Sequence, residues 1–296
     1  MQKATWSEIT LWILLALFWS SSYAVIKSGI ETVDPVILVA GRMMIGACIL
    51  LIALKIRGMS LSRVPSDWRS YAITGLLGSA LPFLFITYGE QSVDSALAAI
   101  LIAFAPVATV FLAACFIPTE PLTWRIFLAV VGGFVGVAML VGPSAMSGLG
   151  DGLLGQSSII AAACCYAAST IYIRLFVTKP PLEMATGAAI VGTIFLLVIS
   201  FFAGGRLSSV NPTLPSLGAI LYLGIFSTAF ANLIYFYLVP RLGATRMSQV
   251  NFVIPVGGAV FGWILLGEVM TLQRSLALIV ILVSVYFGTS KSKPTR

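Results

Sequence analysis

Ten stretches of this sequence are long enough to cross a bilayer and nearly free of charge, and no soluble fold accommodates that pattern. They run approximately over 9–28, 35–54, 69–88, 94–116, 122–142, 153–175, 183–204, 215–238, 244–266 and 272–288. A spanning helix needs about 20 mostly apolar residues, so ten of them take up about 200 of the 296 positions and leave only short loops. The runs are continuous, without the period-two alternation of a membrane β-barrel. Charged residues make up 9% of the chain against 59% apolar, and mean hydropathy is +1.05, whereas a soluble domain carries about a quarter charged residues. The expected fold class is an all-α integral membrane protein of ten transmembrane helices.

The basic residues orient the chain. With the N-terminus inside, thirteen lysines and arginines fall on the cytoplasmic side, among them Lys55, Arg57, Arg63 and Arg69. Only Lys27, Arg206 and Arg274 fall on the other side, and Arg42 lies within a span. That asymmetry is the positive-inside signature, and it predicts both termini in the cytoplasm. Trp6, Trp68 and Trp124 precede spans one, three and five at the same interface, as an aromatic belt would.

Other classes are set aside by what the chain contains. The net charge of +7 is spread over many loops, which fits membrane orientation better than nucleic-acid binding. Cys48, Cys115, Cys164 and Cys165 all sit in apolar runs, where thiols are small hydrophobes more often than ligands or disulfides. Histidine is absent, and no metal-ligand spacing occurs, so no cofactor or metal is expected. An intramembrane enzyme would need a nucleophile with a base, and the spans offer none. The N-terminus lacks a basic leader and a small-residue cleavage site, so the first run reads as a retained helix.

Within span one, Trp19, Ser20, Ser21, Ser22 and Tyr23 form a polar and aromatic girdle near half depth. Hydroxyls there must bond back to their own helix or meet something held between helices. At the matching depth of span six stand Cys164, Cys165, Tyr166, Ser169 and Thr170.

The chain also repeats itself. Pro106 and Pro255 lie 149 residues apart, as do Arg125 and Arg274; Glu120 and Glu268 lie 148 apart, Lys27 and Arg174 147 apart. Offsets this constant imply a duplicated unit of five spans, over 1–148 and 149–296. Because five is odd, the second copy must sit upside down, the inverted-repeat design of alternating-access carriers with a midplane site.

The stretch FWSSSYAVIKSG, followed by Pro35 and the membrane-embedded Arg42, resembles the W-G-S-N-F-x-x-I-K pattern of the drug/metabolite transporter superfamily, in its EamA-like branch. Ser20 stands where that pattern has Gly, and Ser22 where it has Asn. The stretch from Pro106 to Glu120, repeated from Pro255 to Glu268, is the second landmark. The resemblance covers essentially the whole chain. It implies ten helices in two inverted five-helix units, with spans one, three, four, six, eight and nine lining a central cavity. It also implies a bacterial cytoplasmic (inner) membrane and small metabolites as cargo. Members include amino-acid and metabolite exporters, and relatives carry nucleotide sugars or phosphorylated sugars.

Several residues are expected at such a cavity: Trp19, Ser20, Ser22 and Tyr23 from span one, Phe83 beside Pro82 from span three, and Tyr166 and Ser169 from span six. Ser227 and Phe230 of span eight and Asn251 of span nine complete the set. Tyr88 and Tyr235 lie nearer a mouth, where interface anchoring competes with cargo contact. Arg42 has two readings: a bidentate grip on a substrate carboxylate, or a fixed partner for helix carbonyls. The second is favoured, since the family carries this arginine across substrates of different charge. Pro106 and Pro255 each free a carbonyl in mid-span, and paired interruptions point to a hinge or site. The pairs Gly132 with Gly136 and Gly258 with Gly262 permit close helix packing, and no oligomer is inferred from them.

No carboxylate lies clearly at half depth, and without histidine a proton relay lacks members. A facilitator or exchanger is therefore at least as well supported as a proton-driven pump, with Glu90 as the candidate if coupling exists. The sequence reads as a secondary transporter exporting small organic metabolites, amino acids first, including apolar and aromatic ones. Rival readings are drug-like compounds, nucleotide sugars or sugar phosphates as cargo, and a non-transporting signalling or structural membrane protein.

Overall fold

A computed structural model describes residues 5–93, 95–141, 152–202, 213–257 and 271–289. Every regular element among them is helical. The chain enters α1, Trp6–Ile30, through a capping box: Thr5 accepts from the Glu8 amide at 3.3 Å while the Glu8 carboxylate accepts from the Thr5 amide at 2.8 Å. Asp34 caps α2, Pro35–Ile56, by accepting from the Val36 amide at 2.9 Å, with Pro35 in the first turn, where a missing N–H costs nothing.

The remaining helices are α3 (Pro65–Gly89), α4 (Ser95–Ile102 and Phe104–Phe116), α5 (Trp124–Val141), α6 (Leu153–Phe176), α7 (Pro181–Phe202), α8 (Leu214–Leu242), α9 (Ala244–Ser248, continuing over 250–257) and α10 (Leu272–Thr289). Six of them, α1, α2, α3, α6, α7 and α8, are long and apolar enough to cross a membrane; Ile100–Phe116, Trp124–Leu140 and Leu272–Gly288 are shorter apolar helices.

Glycines set the closest approaches. A Cβ on Gly75 of α3 would lie 2.3 Å from the Ala188 carbonyl oxygen of α7, so only glycine lets these backbones meet. Gly132 and Gly136 do the same between α5 and α10, where added Cβ atoms would meet Ser284 and Ile281. That small-residue pair therefore serves packing within the chain; Gly258 and Gly262 lie outside the described residues. Buried hydroxyls are satisfied mostly inside their own helices: Thr87, Thr109 and Thr193 donate to the carbonyls four residues earlier at 2.7–2.8 Å.

α3 and α8 each contain a widened turn, Leu76–Ala80 and Leu223–Phe230, in which the helix bonds skip to five-residue spacing: Leu81 N–H to Leu76 O, and Ala231 N–H to Phe226 O. Pro82, which cannot donate, follows the first. The turn in α3 is tied to α8 just past the second turn, Asn232 donating to the Ser79 hydroxyl at 3.2 Å. Ser79 and Thr228, one in each, are separated by 149 residues, the spacing of Pro106 and Pro255. Widened turns redirect side chains and free carbonyls, and here they sit beside the cavity described next.

Candidate functional site

Five helices converge on an internal cavity. α1 contributes Trp19, Ser22 and Ile26; α2 contributes Arg42; α3 contributes Phe83 and Ile86. Tyr166 of α6 and Asn251 and Ile254 of α9 close it. The space open to the centres of water molecules is about 30 Å³, room for about two waters.

Trp19 organises the aromatic wall. Its ring stacks on Tyr166 at 6.4 Å with an interplanar angle of 27°, and tilts against Tyr235 of α8 at 5.6 Å. Thr170 hydrogen-bonds the Tyr235 hydroxyl, joining α6 to α8 behind this wall. The Trp19 indole Nε1 is buried and has no acceptor among the described residues, an unusual condition for a strong donor. Ser22 lines the cavity while donating to the Trp19 carbonyl at 2.7 Å. The Ser22 oxygen therefore keeps acceptor capacity.

Arg42 is 2% exposed. Its Nε donates to the Thr228 hydroxyl at 3.1 Å and one terminal nitrogen to the Ser227 carbonyl at 3.3 Å, both in the widened turn of α8. Its guanidinium carbon lies 3.9 Å from the centre of the Phe83 ring, a cation–π contact. The widened turn thus supplies a carbonyl that an ordinary helix would have spent on itself, and Arg42 uses it to tie α2 to α8. Neither ion pair formed among the described residues, Arg174–Glu120 and Lys179–Asp67, includes Arg42.

Of the residues expected from the sequence, Trp19, Ser22, Arg42, Phe83, Tyr166 and Asn251 meet at the cavity. Others do not reach it. Ser20 is on the opposite side of its helix, donating to the Ala16 carbonyl at 2.7 Å and packing where a Cβ on Gly257 would otherwise stand. Ser169 faces the Gly78 backbone of α3. Ser227 bridges α8 to α1 by donating to the Phe18 carbonyl at 2.8 Å, and its own carbonyl holds Arg42. Phe230 is 45% exposed and packs on Phe226, and Tyr88 is 46% exposed. The helical rotation that separates cavity-facing from outward-facing positions is invisible to a depth argument. The side chain of Tyr23 lies outside the described residues. Pro106 is buried three residues past the interruption of α4 at Ala103, and Pro255 is buried in α9 beyond its own interruption at Gln249.

Ile26, Ile86 and Ile254 escaped notice because an apolar wall residue looks like any lipid-facing one. Thr228 gave a weak signal, as a polar group in an apolar span, while Tyr235, expected nearer a mouth, stands behind the cavity wall against Trp19. A second cluster stands at one end of the bundle. Glu120, in the connection after α4, accepts from Arg174 Nε at 3.1 Å and from the Ala244 and Thr245 amides at 3.1 and 2.9 Å, while Arg174 also donates to the Pro240 carbonyl at 3.2 Å. At the opposite end, Glu90 follows the last residue of α3. It is 4% exposed, and neither carboxylate oxygen has a partner among the described residues. Burial pushes its carboxyl up to about 8, against the downward pull of Lys27 on α1.

Relatives agree on the class of protein. The chain is 28% identical over 287 residues to an "Uncharacterized transporter" of Archaeoglobus fulgidus, covering 95% of this chain and 99% of that one. It is 28% identical over 279 residues to the "Uncharacterized inner membrane transporter YedA" of Escherichia coli, covering 93% and 88%. A solved structure superposes with a TM-score of 0.79 at 20% identity, over 96% of this chain and 97% of that one, a likeness of fold. The model of the EamA-like transporter family matches twice, over residues 6–142 and 153–289. Multi-pass membrane helices, an internal cavity walled by polar and aromatic side chains, and family matches over nearly the whole length agree, and the chain belongs to the EamA-like transporter family.

Proposed function

We propose that this protein is a secondary transporter that exports small organic metabolites across a bacterial inner membrane, with amino acids, apolar and aromatic ones included, as its cargo. All ten helices would cross the bilayer with both termini in the cytoplasm, as two inverted five-helix units. The paired family matches and the 149-residue spacing of Ser79 and Thr228 support that arrangement. The observation that carries the functional reading is the cavity itself. Trp19, Tyr166 and Phe83 offer aromatic faces to an apolar side chain, while Ser22, Asn251 and Arg42 offer polar atoms to its charged end. Exposure alternates as one unit rocks against the other, with Pro106 and Pro255 as hinges.

Counterflow of labelled phenylalanine, leucine and threonine into proteoliposomes, with and without a pH gradient, tests this. Flux above protein-free vesicles that unlabelled apolar amino acids compete away, and that Trp19→Ala abolishes, is the expected result. Flux of a sugar phosphate or nucleotide sugar with none of any amino acid would overturn the choice of cargo.

A further inference from the structure

We infer that the cavity recognises its cargo through a carboxylate alone, held by Arg42 and the indole N–H of Trp19, so that an ammonium group on the cargo is dispensable and a cation without a carboxylate is rejected. The inference rests on the transport reading above and redraws its substrate class as organic acids with an apolar body, of which amino acids are one case.

Three observations carry it. Arg42 is a buried cation in the cavity wall that belongs to neither ion pair among the described residues. A guanidinium has five N–H donors. The bonds to Thr228 and Ser227 use two, and Phe83 covers one face of the plane rather than its donor edge. A buried charge of this kind is costly until an anion meets it, and a guanidinium edge matches the two oxygens of a carboxylate.

Second, Trp19 Nε1 is a buried donor without an acceptor among the described residues. Indole can only donate, so whatever satisfies it must bring a lone pair. It belongs to a ring of the same cavity wall as Arg42.

Third, no wall residue among the described residues is acidic. An ammonium group would find only uncharged acceptors, the oxygens of Ser22, Asn251 and the Tyr166 hydroxyl, and the aromatic faces. An organic cation would add a second positive charge beside Arg42, and like charges about 4–6 Å apart in so small a cavity disfavour binding by about a hundredfold or more. Asn251 already donates to the Ser248 carbonyl at 3.0 Å, so its oxygen is the one amide acceptor on offer, too little to make an ammonium a requirement.

The test compares three ligands of one shape, phenylalanine, 3-phenylpropionate and phenethylamine, by thermal stabilisation and by intrinsic fluorescence of the purified full-length protein in detergent. Phenylalanine and 3-phenylpropionate should bind within about tenfold of each other, and phenethylamine at least about a hundredfold more weakly. Trp19→Phe keeps the ring and removes the donor, and should weaken both acids about tenfold, the loss of one charge-assisted hydrogen bond. Arg42→Gln should abolish binding of both; should that variant fail to fold, Trp19→Phe decides alone. Phenethylamine binding as tightly as the acids overturns the inference, as does phenylalanine binding while 3-phenylpropionate does not, or an unchanged affinity in Trp19→Phe. These outcomes leave the transport reading intact, because counterflow is measured separately. Loss of counterflow with selective acid binding retained overturns transport and leaves the carboxylate site standing.

Discussion

Arg174 of α6 and Glu120, in the connection between α4 and α5, form an ion pair at 3.1 Å whose acidic partner is almost wholly buried. The same carboxylate accepts the first two amides of α9, and Gly243, at φ +90°, leaves room for it: a Cβ there would lie 2.7 Å from a Glu120 oxygen. Three parts of the chain far apart in sequence are thus clamped at one end of the bundle.

Glu120→Gln should release that clamp. Removing one partner of a largely buried pair costs about 3–5 kcal/mol; because the Arg174 side chain is 30% exposed, about 1–3 kcal/mol is expected here. Thermal unfolding in detergent should fall by several degrees. An unchanged Tm would mean the pair contributes nothing.

Thr228→Val removes the hydroxyl that accepts from Arg42 while nearly keeping its volume. A buried charged donor left without its acceptor costs about 1–3 kcal/mol, so Tm should drop. Thr228→Ser keeps the hydroxyl and should stay close to the parent. Equal Tm for both variants would contradict the bond.

Gly75→Ala should destabilise more than a change of one methyl group suggests. The new carbon would meet a backbone oxygen, Ala188 O, which cannot swing aside, and such overpacking costs about 1–3 kcal/mol. Gly218→Ala, where nothing lies within 4 Å of the added carbon, is the control and should stabilise slightly by helix propensity.

Glu90 makes stability depend on pH in a direction opposite to that of a paired carboxylate. Its folded-state pKa, about 8, lies above the ordinary value of 4.5. Below the ordinary value both states are protonated and nothing is lost. As pH rises toward 8 the unfolded chain gives up its proton while the folded one retains it, and stability falls. Glu90→Gln should therefore raise Tm more at pH 8 than at pH 5. A gain of equal size at both would mean the group does not titrate in this window.

The sequence by itself determined the class, the approximate helix positions and part of the cavity wall. Long uncharged runs admit only spanning helices, because a backbone in lipid must satisfy its own hydrogen bonds, and Pro106 and Pro255 keep their spacing however the helices pack. Trp19, Arg42 and Tyr166 were legible because polar or bulky groups in such runs need an interior partner. Tertiary structure decided which face each helix turns inward. Ser20 and Ser22, two residues apart, differ by about half a turn, so one packs on α9 while the other lines the cavity. The partnerships of Arg42 with Thr228 and of Glu120 with Arg174 join residues 186 and 54 positions apart. No local pattern encodes them. They depend on a widened turn freeing a carbonyl in α8 and on a glycine opening space before α9, and both acquire partners only when the helices are packed.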